Sequence, residues 1–174
     1  KLVSLIGTAG TGKTLLAIAA GLQKCLEEGK YTKMLVARPI YPMGKDIGFL
    51  PGTIDEKLKP WMQPVFDNLE YLLADHDMNS MGKMNELMAS KVIEVEALTY
   101  IRGRSIPEQF IIVDEAQNLT PHEIKTIVSR VGENTKMVLT GDPFQIDNPY
   151  MNESNNGLSY IVDRFKDLSL AGHI

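Results

Sequence analysis

Gly7-Thr8-Ala9-Gly10-Thr11-Gly12-Lys13-Thr14 satisfies every fixed position of the pattern G-x-x-x-x-G-K-[ST]. It lies between an apolar run, Leu2–Ile6, and a helix-like stretch that begins near Leu15. Strand, glycine-rich turn and helix in that order make a cradle for phosphate. The glycines let the backbone curl so that its N–H groups point inward, and the following helix adds its positive end. Lys13 supplies a point charge for the β and γ phosphates, and Thr14 is placed to offer its hydroxyl to Mg²⁺. The whole segment Gly7, Thr8, Ala9, Gly10, Thr11, Gly12, Lys13 and Thr14 is the expected nucleotide-binding element.

Outward from this loop, β-prone apolar runs at Leu2–Ile6, Met34–Ala37, Val92–Val95, Phe110–Val113 and Met137–Thr140 alternate with helical patterns. That is the layout of a parallel α/β sheet with helices on both faces. Helices are expected at Thr14–Glu27, Asp55–Leu73 (irregular at Pro60 and Pro64), Ser80–Ala89, Pro121–Val131 and Gly157–Lys166. The fourth has a clear start, with Thr120 as cap, Pro121 at the first helical position and Glu123 closing a capping box. The connection 38–54 is rich in glycine and proline at Gly44, Gly48, Pro51 and Gly52, and reads either as a functional surface loop or as a passive linker.

The second decisive stretch is Phe110-Ile111-Ile112-Val113-Asp114-Glu115, an apolar strand ending in two acids. In open α/β sheets ligands bind beyond the carboxyl ends of the strands, where these carboxylates emerge. Asp114 is suited to hold Mg²⁺ opposite Thr14, and Glu115 to polarise an attacking water. The alternative for Glu115 is a cap on the turn before Thr120. On the next strand, Met137–Thr140 leads into Gly141-Asp142-Pro143-Phe144-Gln145. Gln145 reads either as a sensor of the terminal phosphate or as part of a plain turn with Gly-Asp-Pro punctuation.

The 174 residues are 44% hydrophobic and 23% charged, enough for one domain, residues 1–174, with its own core. Both ends read as cut from something longer. No run reaches the length needed to span a bilayer and the start lacks a signal-peptide layout, so a cytoplasmic domain with no membrane partner is expected. With Cys25 as the sole cysteine no internal disulfide can form, and its place in the helix after the phosphate loop favours a small core or surface residue. The net charge of −4 disfavours nucleic-acid binding by charge alone, although a local basic groove is compatible with it. Arg38, Arg102 and Arg104, with Lys45, Lys57 and Lys59, are candidates for such a groove, and Trp61, Tyr41 or Phe49 for stacking surfaces. The other reading is a solvated face with core aromatics. The methionines at 78, 81, 84 and 88 read as apolar gap-fillers, and the three histidines have no metal-ligand spacing.

Taken together, GTAGTGKT (7–14), VARP (36–39), GFLPG (48–52), YIRGR (100–104), VDEAQN (113–118) and LTGDPFQID (139–147) resemble the PhoH-like family of bacterial ATPases. Six ordered motifs carry the resemblance over nearly the whole chain. It implies an α/β P-loop NTPase fold with a RecA-like parallel sheet, similar to the first domain of superfamily 1 helicases. In such a sheet the Met137–Thr140 strand lies between Leu2–Ile6 and Phe110–Val113.

By position, the resemblance implies Gly12, Lys13 and Thr14 on ATP and Mg²⁺, Asp114 and Glu115 as the metal and water acids, and Gln145 as sensor. It further implies an RNA-linked role, with single-stranded RNA as partner, and a homo-oligomeric ring in which a neighbour's arginine completes the site. Residues 148–158 look more like the longer members, in which a PIN nuclease domain precedes the ATPase. Members of the family continue past the position of Ile174 with an Asp-Val-Val-Arg segment, so slow turnover by these residues alone is expected. Two functions remain open at this point, an ATPase that remodels RNA and an ATP-dependent switch or ring-assembly module. A small-molecule kinase would need an acceptor pocket and lid that no segment suggests.

Overall fold

A computed structural model describes residues 1–40, 54–74, 80–101 and 105–174, without the side chains of 54–57 and 80. Its strands are β1 (Leu2–Ile6), β2 (Lys33–Arg38), β3 (Ile93–Ala97), β4 (Gln109–Val113), β5 (Lys136–Gly141) and β6 (Ala171–His173). Its helices are α1 (Lys13–Leu22), α2 (Ile54–Leu73), α3 (Ser80–Ala89), α4 (Pro121–Val128) and α5 (Gly157–Phe165). The strands form one sheet in the order β3-β2-β4-β5-β1-β6, every pairing parallel. The β5 strand therefore runs between β1 and β4, which places the phosphate loop and the acidic strand on either side of it. This is the α/β P-loop NTPase fold with a RecA-like sheet.

Period-two alternation divides the core into two layers. Leu35 and Ala37 of β2, Ile111 and Val113 of β4, and Met137 and Leu139 of β5 face one side. There they pack on Ile124 and Ile127 of α4 and on Leu158 and Ile161 of α5. Met34, Val36, Phe110, Ile112 and Val138 face the other, against Ala17 and Ile18 of α1 and Val65, Leu69 and Leu73 of α2. Both faces are covered, so the central strands read as unbroken apolar runs. Met84 and Met88 pack against the second layer, whereas Met81 is exposed and Met78 lies outside the described residues.

Three details depart from the sequence reading. The helix expected over Thr14–Glu27 is α-helical only to Leu22, and Gln23–Glu27 form a π-helical turn with the Glu28 N–H bonded to the Gln23 carbonyl. Gly29, at φ 59°, follows that turn. The fourth helix stops at Val128 rather than Val131, because Val131 makes a parallel bridge with Ile106 and Gly132 bonds the Ile106 carbonyl. The stretch after Leu170 adds a sixth strand. Ala171–His173 has no β-prone residue, and its pairing is carried by backbone bonds such as Leu2 N–H to Leu170 O and Ile174 N–H to Ser4 O. Pro60 and Pro64 lie inside α2 without ending it.

Candidate active site

The phosphate loop joins β1 to α1 at the carboxyl edge of the sheet. Gly10 and Gly12 have φ of 79° and 81°, a region that residues with a Cβ enter at a cost, so the loop needs glycine at both. Lys13 opens α1 and curls its ammonium back to the carbonyls of Gly7 and Thr8, at 2.7 Å each. The Thr11 hydroxyl donates to the Thr8 carbonyl at 2.8 Å and closes the loop on itself.

Across the loop, Asp114 follows the last residue of β4 and is only 3% exposed. Its Oδ1 accepts from the Thr14 hydroxyl at 2.8 Å and from the Thr140 hydroxyl at 2.5 Å. Burial of this carboxylate is offset by these bonds and by Arg38, whose guanidinium lies 3.9 Å from Oδ2. Thr14 and Asp114 thus meet directly, although 100 residues separate them in sequence. Both present hard oxygen donors, the kind Mg²⁺ takes alongside phosphate and water oxygens.

Glu115 sits in the left-handed region at φ 55° and turns the chain into the 3-10 segment Ala116–Asn118. It makes no side-chain cap there. Its Oε1 accepts from Arg38 at 3.2 Å, and its Oε2 from the Gln117 side-chain amide at 2.6 Å. The cap reading of Glu115 is therefore not what its carboxylate does.

Gln117, 1% exposed, ties three segments together. Its amide also donates to the Gln145 carbonyl at 2.9 Å, and its oxygen accepts from the Asp142 N–H at 3.2 Å. Asp142, 4% exposed, reaches back to the phosphate loop and accepts from the Ala9 N–H at 3.0 Å. Asn118 adds a reciprocal pair of bonds with Asp147.

The space enclosed is a cleft of about 320 Å³ lined by the loop from Ala9 to Leu15, by Asp114 and Glu115, and by Asp142 and Gln145. Asn68 of α2 closes one wall. Every catalytic candidate of the sequence reading, Lys13, Asp114, Glu115 and Gln145, borders this one cleft. Arg38 approaches the acids from the far side, while Arg102 and Arg104 lie outside the described residues, as do Tyr41, Lys45 and Phe49. Trp61 is half-buried and its carbonyl accepts from Arg38 at 3.4 Å.

Gln117, Asp142, Thr140 and Asn68 were not legible as site residues. The motifs contained Gln117, Thr140 and Asp142, but only as a neighbour of the acids, a strand residue and turn punctuation. Cys25 takes no part in the cleft. It packs at the second core layer, where burial pushes its thiol up to about 11, so it stays protonated and poorly nucleophilic near neutral pH. Among the described residues no helix is long and apolar enough to cross a membrane.

A parallel sheet with a glycine-rich phosphate loop after β1 and an acidic edge after β4, separated by an inserted strand, defines the class as a P-loop nucleotide-binding domain. The chain belongs to the PhoH-like protein family, whose model matches residues 1–174. Protein PhoH2 of Bacillus subtilis (strain 168) is 61% identical over 174 residues, covering 99% of this chain and 39% of the relative. Protein PhoH2 of Mycolicibacterium smegmatis is 41% identical, covering 99% and 38%. A PhoH-like protein of Mycobacterium tuberculosis H37Rv is 40% identical over 163 residues, covering 94% and 44%. The chain thus spans about two fifths of the length of these relatives. Among solved structures, the Sulfolobus solfataricus SWI2/SNF2 ATPase core in complex with dsDNA aligns with a TM-score of 0.43 and 21% identity, over 81% of this chain and 28% of that one.

Proposed function

We propose that residues 1–174 form a single ATPase domain that binds ATP with Mg²⁺ in the cleft, hydrolyses it, and couples the cycle to single-stranded RNA. The observation that carries this reading is the meeting of the Thr14 hydroxyl and the Asp114 carboxylate at 2.8 Å, with Glu115 next in the chain on the same cleft. A site that only held phosphate would not need a second acid there.

In this reading the loop N–H groups and Lys13 bind the phosphates, and Thr14 and Asp114 hold the cation. Mg²⁺, when bound, neutralises charge on the β and γ oxygens. Glu115 orients and polarises the attacking water, and Gln145 registers the terminal phosphate. Gln117 transmits that state to Glu115, because one amide holds both the Gln145 carbonyl and the Glu115 carboxylate. Positioning and electrostatics supply most of phosphoryl-transfer catalysis.

The coupling to RNA rests on the family resemblance, with Arg38, beside Asp114 and Glu115, as the candidate phosphate contact. A ring of copies and a nuclease partner domain are further parts of this proposal. A neighbour's arginine would complete the charge balance at the γ phosphate.

Steady-state ATP hydrolysis by this chain, with and without single-stranded RNA and with Lys13→Ala as blank, tests the reading. Turnover above the blank that rises with RNA is expected. Tight ATP binding with turnover equal to the blank would overturn self-contained hydrolysis and favour a nucleotide-dependent switch instead. Glu115→Gln is expected to lower turnover at least about tenfold with ATP binding retained.

A further inference from the structure

Arg38 ends β2, which pairs with β4 on the side away from the phosphate loop. The sheet order puts β5 and then β1 on one side of β4 and β2 on the other. With strands roughly 5 Å apart, the loop after β1 and Arg38 therefore lie on opposite sides of β4. In the structure Glu115 is held from both flanks, by Arg38 on Oε1 and by Gln117 on Oε2. The same guanidinium donates to the Trp61 carbonyl of α2 and lies near Asp114. Its side chain keeps 20% of its surface exposed.

From this arrangement we infer that Arg38 is a latch. It keeps Glu115 turned toward β2 until a backbone phosphate of a bound single strand takes over the guanidinium. Three features point this way. A guanidinium pairs with phosphate as well as it does with carboxylate, in a fork that accepts either. The Arg38–Glu115 bond, at 3.2 Å and with 35% of the Glu115 side chain exposed, is weak enough to be exchanged. Release frees Oε1, the oxygen then available to water, while Gln117 still holds Oε2 in place.

Arg38 is accordingly a positioning residue that acts through Glu115, and its strand contact would make hydrolysis depend on polymer. The inference rests on the hydrolytic reading above and assigns it a regulator.

The test uses the full-length protein with oligouridylate as the probe, comparing wild type, Arg38→Gln and Arg38→Lys. Losing the latch should raise strand-free kcat in Arg38→Gln about two- to fivefold, the range an ion pair of this exposure governs. Stimulation by oligouridylate should shrink in that variant. Its oligouridylate affinity should fall, and the salt dependence of binding should drop by about one phosphate. Arg38→Lys, which keeps the charge, should recover much of the wild-type behaviour.

A fall in strand-free kcat in Arg38→Gln would overturn the latch and make Arg38 an activator of Glu115. Unchanged strand affinity and salt dependence would overturn the phosphate contact. If wild type and variants alike hydrolyse no more than Lys13→Ala, the hydrolytic reading fails. The strand-binding comparison then decides separately whether Arg38 contacts the strand: lost affinity supports the contact, and retained affinity overturns it.

Discussion

At the scale of single residues, the site depends on contacts that leave no room for a methyl group. A Cβ on Gly141 would stand 2.4 Å from the Gln117 side-chain oxygen and 2.8 Å from Leu158. Gly141→Ala should therefore displace Gln117, which then leaves the Asp142 N–H and the Gln145 carbonyl without their partner. We expect a loss of about 2 kcal/mol, seen as a fall in Tm of roughly 4 to 8 °C. ATP hydrolysis should drop more than ATP affinity, because the phosphate loop itself is untouched. Thermal unfolding and a nucleotide titration check both, and an unchanged Tm would mean that Gln117 is not the hub it is taken to be here. The glycine was visible in the sequence, but its reason was not, since the atom it makes way for belongs to a residue 24 positions earlier in the chain.

Among the elements, two helices in the layer behind the site begin on different kinds of cap. Thr120 and Glu123 form the reciprocal capping box of α4, with the Glu123 N–H bonded to the Thr120 hydroxyl at 3.2 Å. Asn156 caps α5 through the Ser159 N–H, but it is fully buried and its amide also bonds the carbonyls of Asn152 and Glu153. Thr120→Ala should cost about 1 kcal/mol, the ordinary worth of a cap. Asn156→Ala should cost more, about 2 to 3 kcal/mol, because it also removes the two bonds that fasten the preceding loop and leaves a gap where a fully buried side chain stood. Urea denaturation with unchanged m-values separates the two, and equal costs would contradict the assignment. The capping box of α4 was legible because its three signals lie within four residues. The extra role of Asn156 was not, since the loop it fastens has no periodic pattern.

For the molecule as a whole, the cleft joins β1, α1, α2, β4 and β5, so a ligand there ties both core layers together. Saturating MgATP, at about a hundred times its Kd, should stabilise the domain by roughly 2.7 kcal/mol. That corresponds to a rise in Tm of roughly 5 to 10 °C for a chain of this size. Lys13→Ala should show little of that rise while unfolding near the wild-type temperature without nucleotide. A differential scanning experiment with and without MgATP checks this. An equal rise in both proteins would place the nucleotide elsewhere.

What the sequence determined by itself is local in origin. The phosphate loop, the apolar strands, the capping box and the two acids after β4 are each encoded within a few adjacent residues, where glycine conformation, periodicity and side-chain chemistry suffice. The place of β5 between β1 and β4 also followed from the family resemblance that these motifs carry. The tertiary structure alone decided which side chains meet across the sheet. Arg38 reaches Glu115 over a separation of 77 residues, Asp142 holds Ala9 over 133, and Gln117 holds the Gln145 carbonyl over 28. It also decided β6, whose Ala-Gly-His stretch pairs through backbone bonds that any residue there can make. A composition or spacing rule reads one stretch of chain at a time, whereas these contacts exist only once parallel strands bring distant residues to a common edge.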